Sequence, residues 1–206
     1  MNKIITISRQ YGSGGREIGE KLAGKLGVPF YDNEIISRAA KETGFAEAAF
    51  ENAERKATNS LLYSLAMGMN AYGTQDLGFT HLSLDDQLYL AQSNVIRKVA
   101  EEGPCVIIGR CADYVLKDLP HIVNVFIWAG LAARKKRAVE LYHLKDNKVE
   151  EEILRMDKRR ANYYNYHANE KWGKADHYHL SLRSDFIGID NTVDCIMRYL
   201  QYAERN

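Results

Sequence analysis

A three-layer α/β/α fold built on a five-stranded parallel sheet is the class this sequence predicts. Three observations carry it. Short, continuous apolar runs recur along the chain, as strands buried on both faces require. Segments with helical periodicity separate them. A glycine-rich turn joins the first run to the first helix, which is an arrangement suited to phosphate. Strands alternating with helices then imply right-handed crossovers and helices on both sides of the sheet.

Residues 3–8, with Ile4, Ile5 and Ile7, read as the first strand. A helix follows over 16–26: Ile18, Leu22 and Leu26 share one face, while Glu17, Glu20, Lys21 and Lys25 take the other. Gly27 is placed to stop it. Residues 28–31 read as a second short strand, after which Asn33 is a candidate cap for a helix carrying Ile35, Ile36, Ala39 and Ala40. Residues 44–80 mix short helical stretches with Gly68, Gly73 and Gly78, and read as an inserted, mobile helical region. The spacing of Leu84, Leu88, Ala91, Val95 and Val99 predicts a helix over 81–102, ended by Gly103-Pro104. Strands are predicted at 105–108, 122–128 and 178–182, and helices at 130–143, 147–166 and 192–203. Neither repeats nor low-complexity segments interrupt the pattern, and one domain is expected over 1–206, with a helical insertion at about 40–100 and a lid-like segment at about 130–175.

Lys+Arg number 28 and Asp+Glu 27, so no global basic field draws nucleic acid or a membrane surface. The balance is local instead: between Arg134 and Arg160 ten Lys/Arg face six Asp/Glu, which suits a small polyanion or a solvated helix face. Cys105, Cys111 and Cys195 are odd in number and far apart, which fits neither a disulfide framework nor a zinc site. The chain opens Met-Asn-Lys and runs into a strand, and no apolar stretch nears the roughly 20 residues that span a bilayer. A cytoplasmic protein is expected, with small-molecule partners and an oligomeric state left open.

The glycine turn admits three readings. A dinucleotide loop, G-x-G-x-x-G, would need glycine at position 17, where Glu17 stands. A Walker loop, G-x-x-x-x-G-K-[ST], fits in length when Gly15 takes the last glycine. Gln10, Arg16 and Glu17 then replace the first glycine, the lysine and the hydroxyl residue. Arg16 brings a guanidinium fork in place of an ammonium, whereas Glu17 either needs a metal ion between itself and the phosphates or simply complements the helix dipole. The third reading is a tight strand-to-helix turn with no ligand.

The run Ile7-Ser8-Arg9-Gln10-Tyr11-Gly12-Ser13-Gly14-Gly15-Arg16-Glu17-Ile18 resembles the opening of cytidylate kinase-like proteins, a divergent group close to bacterial cytidylate kinase. The likeness continues through Phe30-Tyr31-Asp32-Asn33-Glu34, Val106-Ile107-Ile108-Gly109-Arg110, Arg159-Arg160-Ala161-Asn162-Tyr163-Tyr164 and Trp172-Gly173. It implies a P-loop nucleoside monophosphate kinase fold and a transfer of phosphate from ATP, with Mg²⁺, to CMP or dCMP. It also implies roles. Gly12, Ser13, Gly14, Gly15, Arg16 and Glu17 would hold the donor's phosphates; Asp32, Arg38 and Arg110 would meet the acceptor. Arg16, Asp157 and Arg159 would serve the transfer, with Arg134, Arg137 and Arg160 nearby. No metal ligand is assigned.

This chain departs from the pattern of active cytidylate kinases at three places. Ile108 stands where the third strand carries an acid, Cys111 where an aspartate reads the acceptor, and Tyr163 where a lid arginine belongs. Asp113 is a candidate replacement carboxylate. Tyr163, Tyr164, Tyr166, His167 and Trp172 form an aromatic group that either stacks on a base or packs a lid. The departures keep a second reading open: a kinase-fold protein that holds a nucleotide or another phosphate without turning it over.

Overall fold

The computed structural model describes residues 3–56, 83–168 and 170–203. Five strands form one parallel sheet in the order β2-β3-β1-β4-β5: β1 (Ile4–Arg9), β2 (Phe30–Tyr31), β3 (Val106–Ile108), β4 (Ile122–Trp128) and β5 (Leu180–Arg183). The described helices are α1 (Gly15–Leu26), α2 (Glu34–Thr43), α3 (Glu47–Lys56), α4 (Leu84–Glu102), α5 (Ala112–Val115), α6 (Leu131–Tyr142), α7 (Val149–Ala168), α8 (Ser184–Ile187) and α9 (Ile189–Ala203).

Strand alternation sorts the core into two layers. Ile5, Ile7, Val106 and Ile108 face α1 and α9, where they meet Ile18, Leu22, Val193, Ile196 and Leu200. Ile4 and Ile107 face the other way, onto α2, α3 and α4 through Ile35, Phe50, Leu88, Val95 and Ile96. Ile108 is fully buried, and a Cβ on Gly19 of α1 would lie 2.5 Å from its Cδ1. This position serves helix-on-sheet packing, which explains how it takes an apolar residue.

Most predicted elements stand within a few residues of their expected limits. Gly27 ends α1 in the left-handed conformation, φ 65°. Asn33 does not cap α2: its backbone is already helical and its side chain makes no capping bond, so its carbonyl alone accepts the N–H groups of Ile36 and Ser37. Helix α4 begins at Leu84, where Ser83 Oγ accepts the Asp86 N–H and caps it. Strand β5 starts two residues later than predicted and ends one later, and a single 3₁₀ turn at Ala175–His177 precedes it. Within the expected insertion, α3 covers Glu47–Lys56, and residues 57–82, with Gly68, Gly73, Gly78 and His81, lie outside the described residues. Among the described residues no helix is long and apolar enough to cross a membrane.

Candidate functional site

The loops after β1, β2, β3 and β4 leave the same carboxyl edge of the sheet, the edge where open α/β sheets bind ligands. The loop after β1 is the glycine turn. Gly12 and Gly14 both take left-handed backbone, φ 78° and 79°, and Gly14 closes the turn into α1, whose Ile18 N–H donates to its carbonyl. Space as well as torsion demands glycine at position 12: a Cβ there would lie 2.9 Å from the Arg134 carbonyl oxygen. The start of α1 leaves N–H groups without helical partners, aimed out of the loop.

This loop is fastened from several elements. Gln10 N–H donates to Ile127 O, and its side-chain oxygen accepts from Ala129 N–H. Ser184 Oγ, at the start of α8, donates to Ser13 O at 2.6 Å. Tyr11 N–H donates to the Asp157 carboxylate at 2.6 Å, and Arg134 reaches both that carboxylate and Tyr11 O. Asp157 thus holds the loop's backbone through a buried ion pair. From α7, Arg160 donates to Arg9 O at 3.0 Å and lies over the Tyr11 ring.

Glu17 leaves the first turn of α1 to pair with Arg137, and its other oxygen lies 3.5 Å from Lys21 Nζ. Arg16 turns outward: Nε donates to Asp32 at 2.9 Å, a terminal nitrogen to Glu20 at 3.2 Å, and the side chain is 58% exposed. Beside the loop lies a cleft of about 390 Å³, lined by Arg9, Asp32, Asn33, Glu51, Arg110, Met156, Arg159 and Arg160. Asp32, Arg110 and Arg159 are therefore brought together in one cleft. Arg38 is not among the lining residues; it pairs with Glu34 and Glu102 and covers the Tyr31 ring. Arg9 and Glu51 are additions. Arg9 was visible as the charged residue that ends the first apolar run, whereas Glu51 carried no signal.

Four arginines against two carboxylates give the cleft a positive balance suited to a small anion. Its floor is a strained turn. Gly109, Arg110 and Cys111 take φ of 66°, 59° and 54° in succession, and each non-glycine residue there costs on the order of 1–3 kcal/mol. The turn sets Arg110 at the end of β3 and sends Cys111 into a buried cluster with Tyr163, Tyr164 and Ala168, packed by Tyr89, Tyr114 and Trp172. The aromatic group is thus a packed layer next to the cleft. Within it His167 stacks on Tyr89 with ring centroids 3.9 Å apart, and burial pulls its pKa down to about 4. Asp113 is buried and does not line the cleft; burial pushes its carboxyl up to about 6, against a hydrogen bond with Tyr164.

Among the described residues no three His, Cys, Asp or Glu side chains gather to cage a metal ion. Magnesium at kinase sites does not need a cage, since it is held by phosphates, water and one or two carboxylates. Asp32 and Glu51, both on the cleft wall, fit that lesser demand.

Known proteins extend the picture. A family profile described as the cytidylate kinase-like family matches residues 4–185. An uncharacterized protein from Eubacterium ventriosum ATCC 27560 superposes with a TM-score of 0.72 and 26% identity, over 97% of this chain and 99% of that one. Shikimate kinase from Bacteroides thetaiotaomicron has the same fold, with a TM-score of 0.55 and 15% identity over 98% and 99% of the two chains. A stretch of 84 residues, 40% of this chain, is 32% identical to a probable acyl-CoA dehydrogenase of Escherichia coli (strain K12). It spans 21% of that relative and carries no activity over to this chain.

Proposed function

The chain belongs to the cytidylate kinase-like family, and from that membership and the arginine-lined cleft we propose an ATP-dependent phosphotransferase acting on a nucleoside monophosphate, CMP or dCMP. The observation that carries the reading is the juxtaposition of loop and cleft. A left-handed glycine loop at a helix start adjoins a pocket with four guanidinium groups, two from α7 and two from strand ends. Phosphoryl transfer needs positioning and charge stabilisation more than covalent help.

In this reading the backbone of Gly12, Ser13, Gly14, Gly15, Arg16 and Glu17 holds the donor's phosphates. Arg110 grips the acceptor's phosphate, and Asp32 orients the acceptor. Arg159 and Arg160 face the phosphoryl group as an acceptor oxygen bonds to it and its bond to the donor's bridging oxygen breaks. The segment over about 130–175 acts as the lid, and Asp157 positions the loop without touching substrate. Arg38 stays with Glu34 and Glu102, outside the cleft lining. Magnesium, when bound beside Asp32 and Glu51, neutralises charge on the phosphates.

A coupled ADP-release assay over nucleoside monophosphates with Mg²⁺ tests the proposal. Turnover on at least one acceptor is expected, with Arg110→Ala and Arg159→Ala each lowering it on the order of 100-fold. Absence of turnover on every acceptor at high enzyme concentration would overturn it. One observation favours a binding protein instead: the first turn of α1 offers no hydroxyl for magnesium, and its carboxylate, Glu17, is engaged by Arg137 and Lys21. Calorimetry with ATP decides between the two, since tight binding that is indifferent to Mg²⁺ and unaccompanied by turnover belongs to the second reading.

A further inference from the structure

We propose that Arg9 supplies the cation of the phosphate loop, in the place that a lysine on the first turn of the helix takes in a Walker motif; the inference rests on the phosphotransferase reading above. The argument begins with register. In G-x-x-x-x-G-K-[ST] the last glycine closes the loop and the lysine follows it. Here the left-handed residue that closes the loop is Gly14, and α1 begins at Gly15. Gly15 therefore stands at the lysine's position and has no side chain to offer.

Arg16, one residue later, is taken up by carboxylates. It is held by Asp32 and Glu20, and more than half of its side chain is in solvent. A residue at the second helical position points about 100° around the axis from the first, so the two cannot serve one ligand in the same way.

Arg9 fills the gap from the strand side. A Cβ on Gly15 would lie 2.5 Å from Arg9 Cβ and 3.0 Å from Arg9 Cγ, so the arginine stem crosses the space that a side chain at 15 would occupy. Further along, the Arg9 guanidinium lies against Gly109, where a Cβ would overlap its terminal nitrogen. Two glycines from separate elements thus clear one path, and it leads into the cleft beside Arg110, Arg159 and Arg160. The Arg9 carbonyl accepts from Arg160, which anchors the root of the side chain. A guanidinium there, between the loop and the cleft arginines, can bind two phosphate oxygens at once.

The test compares Arg9→Met, which keeps the stem over Gly15 and removes the charge, with Arg9→Lys, Arg16→Ala, Arg9→Gly and the double variant Arg9→Gly/Gly15→Lys, in which the loss of the Arg9 Cβ makes room for a side chain at 15. Turnover with ATP and the best acceptor is read beside ADP affinity by calorimetry, with thermal unfolding as the check on folding. Arg9→Met is expected to lose on the order of 100-fold in kcat/KM and about tenfold in ADP affinity. Arg9→Lys keeps more of both, Arg16→Ala loses less than Arg9→Met, and the double variant regains at least tenfold over Arg9→Gly because a lysine returns to the helix. A folded Arg9→Met protein within threefold of the parent in ADP affinity would overturn the proposal, as would a greater loss in Arg16→Ala. If the parent turns over no acceptor, the phosphotransferase reading fails by itself, and ADP affinity still decides the role of Arg9.

Discussion

Removing the carboxylate of Asp157 should loosen the phosphate loop from a distance. Its side chain is 14% exposed and that of its partner Arg134 only 7%, so Asp157→Ala leaves a buried guanidinium whose remaining protein acceptor is Tyr11 O, 3.3 Å away. Breaking one side of a buried pair costs about 3–5 kcal/mol. For a chain of 206 residues this lowers Tm by about 6–20 °C, at roughly 2–4 °C per kcal/mol. The double variant Arg134→Met/Asp157→Ala should cost at least about 2 kcal/mol less than the sum of the single variants, because no uncompensated charge stays buried. Part of the loss persists in the double variant, since the Tyr11 N–H still lacks its acceptor. Urea unfolding of all four proteins at one pH measures the cycle. Single-variant losses that add within about 0.5 kcal/mol would refute the clamp, as would an Asp157→Ala protein as stable as the parent.

Two further perturbations follow from the same geometry. Gly12→Ala should destabilise the fold by about 2 kcal/mol or more, since φ 78° disfavours a side chain and the new Cβ meets a backbone oxygen. Gly24→Ala in α1 meets nothing within 4 Å and should gain about 0.5–1 kcal/mol; paired melting curves rank the two. Asp113→Asn should change how stability depends on pH. The folded carboxyl is raised from 3.8 to about 6, so stability is fully present below about pH 4, falls as pH rises through 6, and is about 3 kcal/mol lower above it. Asn removes that loss, so the variant gains on the parent between pH 4 and 8 in denaturant titrations. His167, whose lowered pKa weakens the fold as pH falls toward 4, is common to both proteins and cancels in the difference. A gap between parent and variant that does not change with pH would refute the assignment.

The strands and most helices were legible because they rest on local properties. Apolar runs such as 105–108 and the face of Ile18, Leu22 and Leu26 follow from chain period alone. The phosphate loop was legible as a place but not in register. Three glycines stand at 12, 14 and 15, and sequence does not say which takes positive φ and which merely yields space to Arg9. Asp157 read as a residue of the transfer step because its contact with Tyr11 joins positions 146 apart. Arg110 and Cys111 gave no hint of left-handed backbone, since residue type alone does not encode it.

Those long-range contacts tie the loop and the cleft to one helix. Along α7, Met156, Arg159 and Arg160 line the cleft, while Asp157 holds the loop at Tyr11 N–H and Arg160 also donates to Arg9 O. The helical period brings Asp157 and Arg160, three apart, onto one face toward the loop, as it does Met156 and Arg159 toward the cleft, and Arg160 reaches both. One helix therefore sets the loop and lines the cleft beside it. A shift of α7 along its axis would move Arg159 and the loop's anchors by the same amount. If the segment closes as the proposed reading has it, the loop would move with it, keeping donor and acceptor arginines in step. That is the arrangement in-line transfer requires, because an error of about 1 Å between donor and acceptor costs on the order of 100-fold in rate.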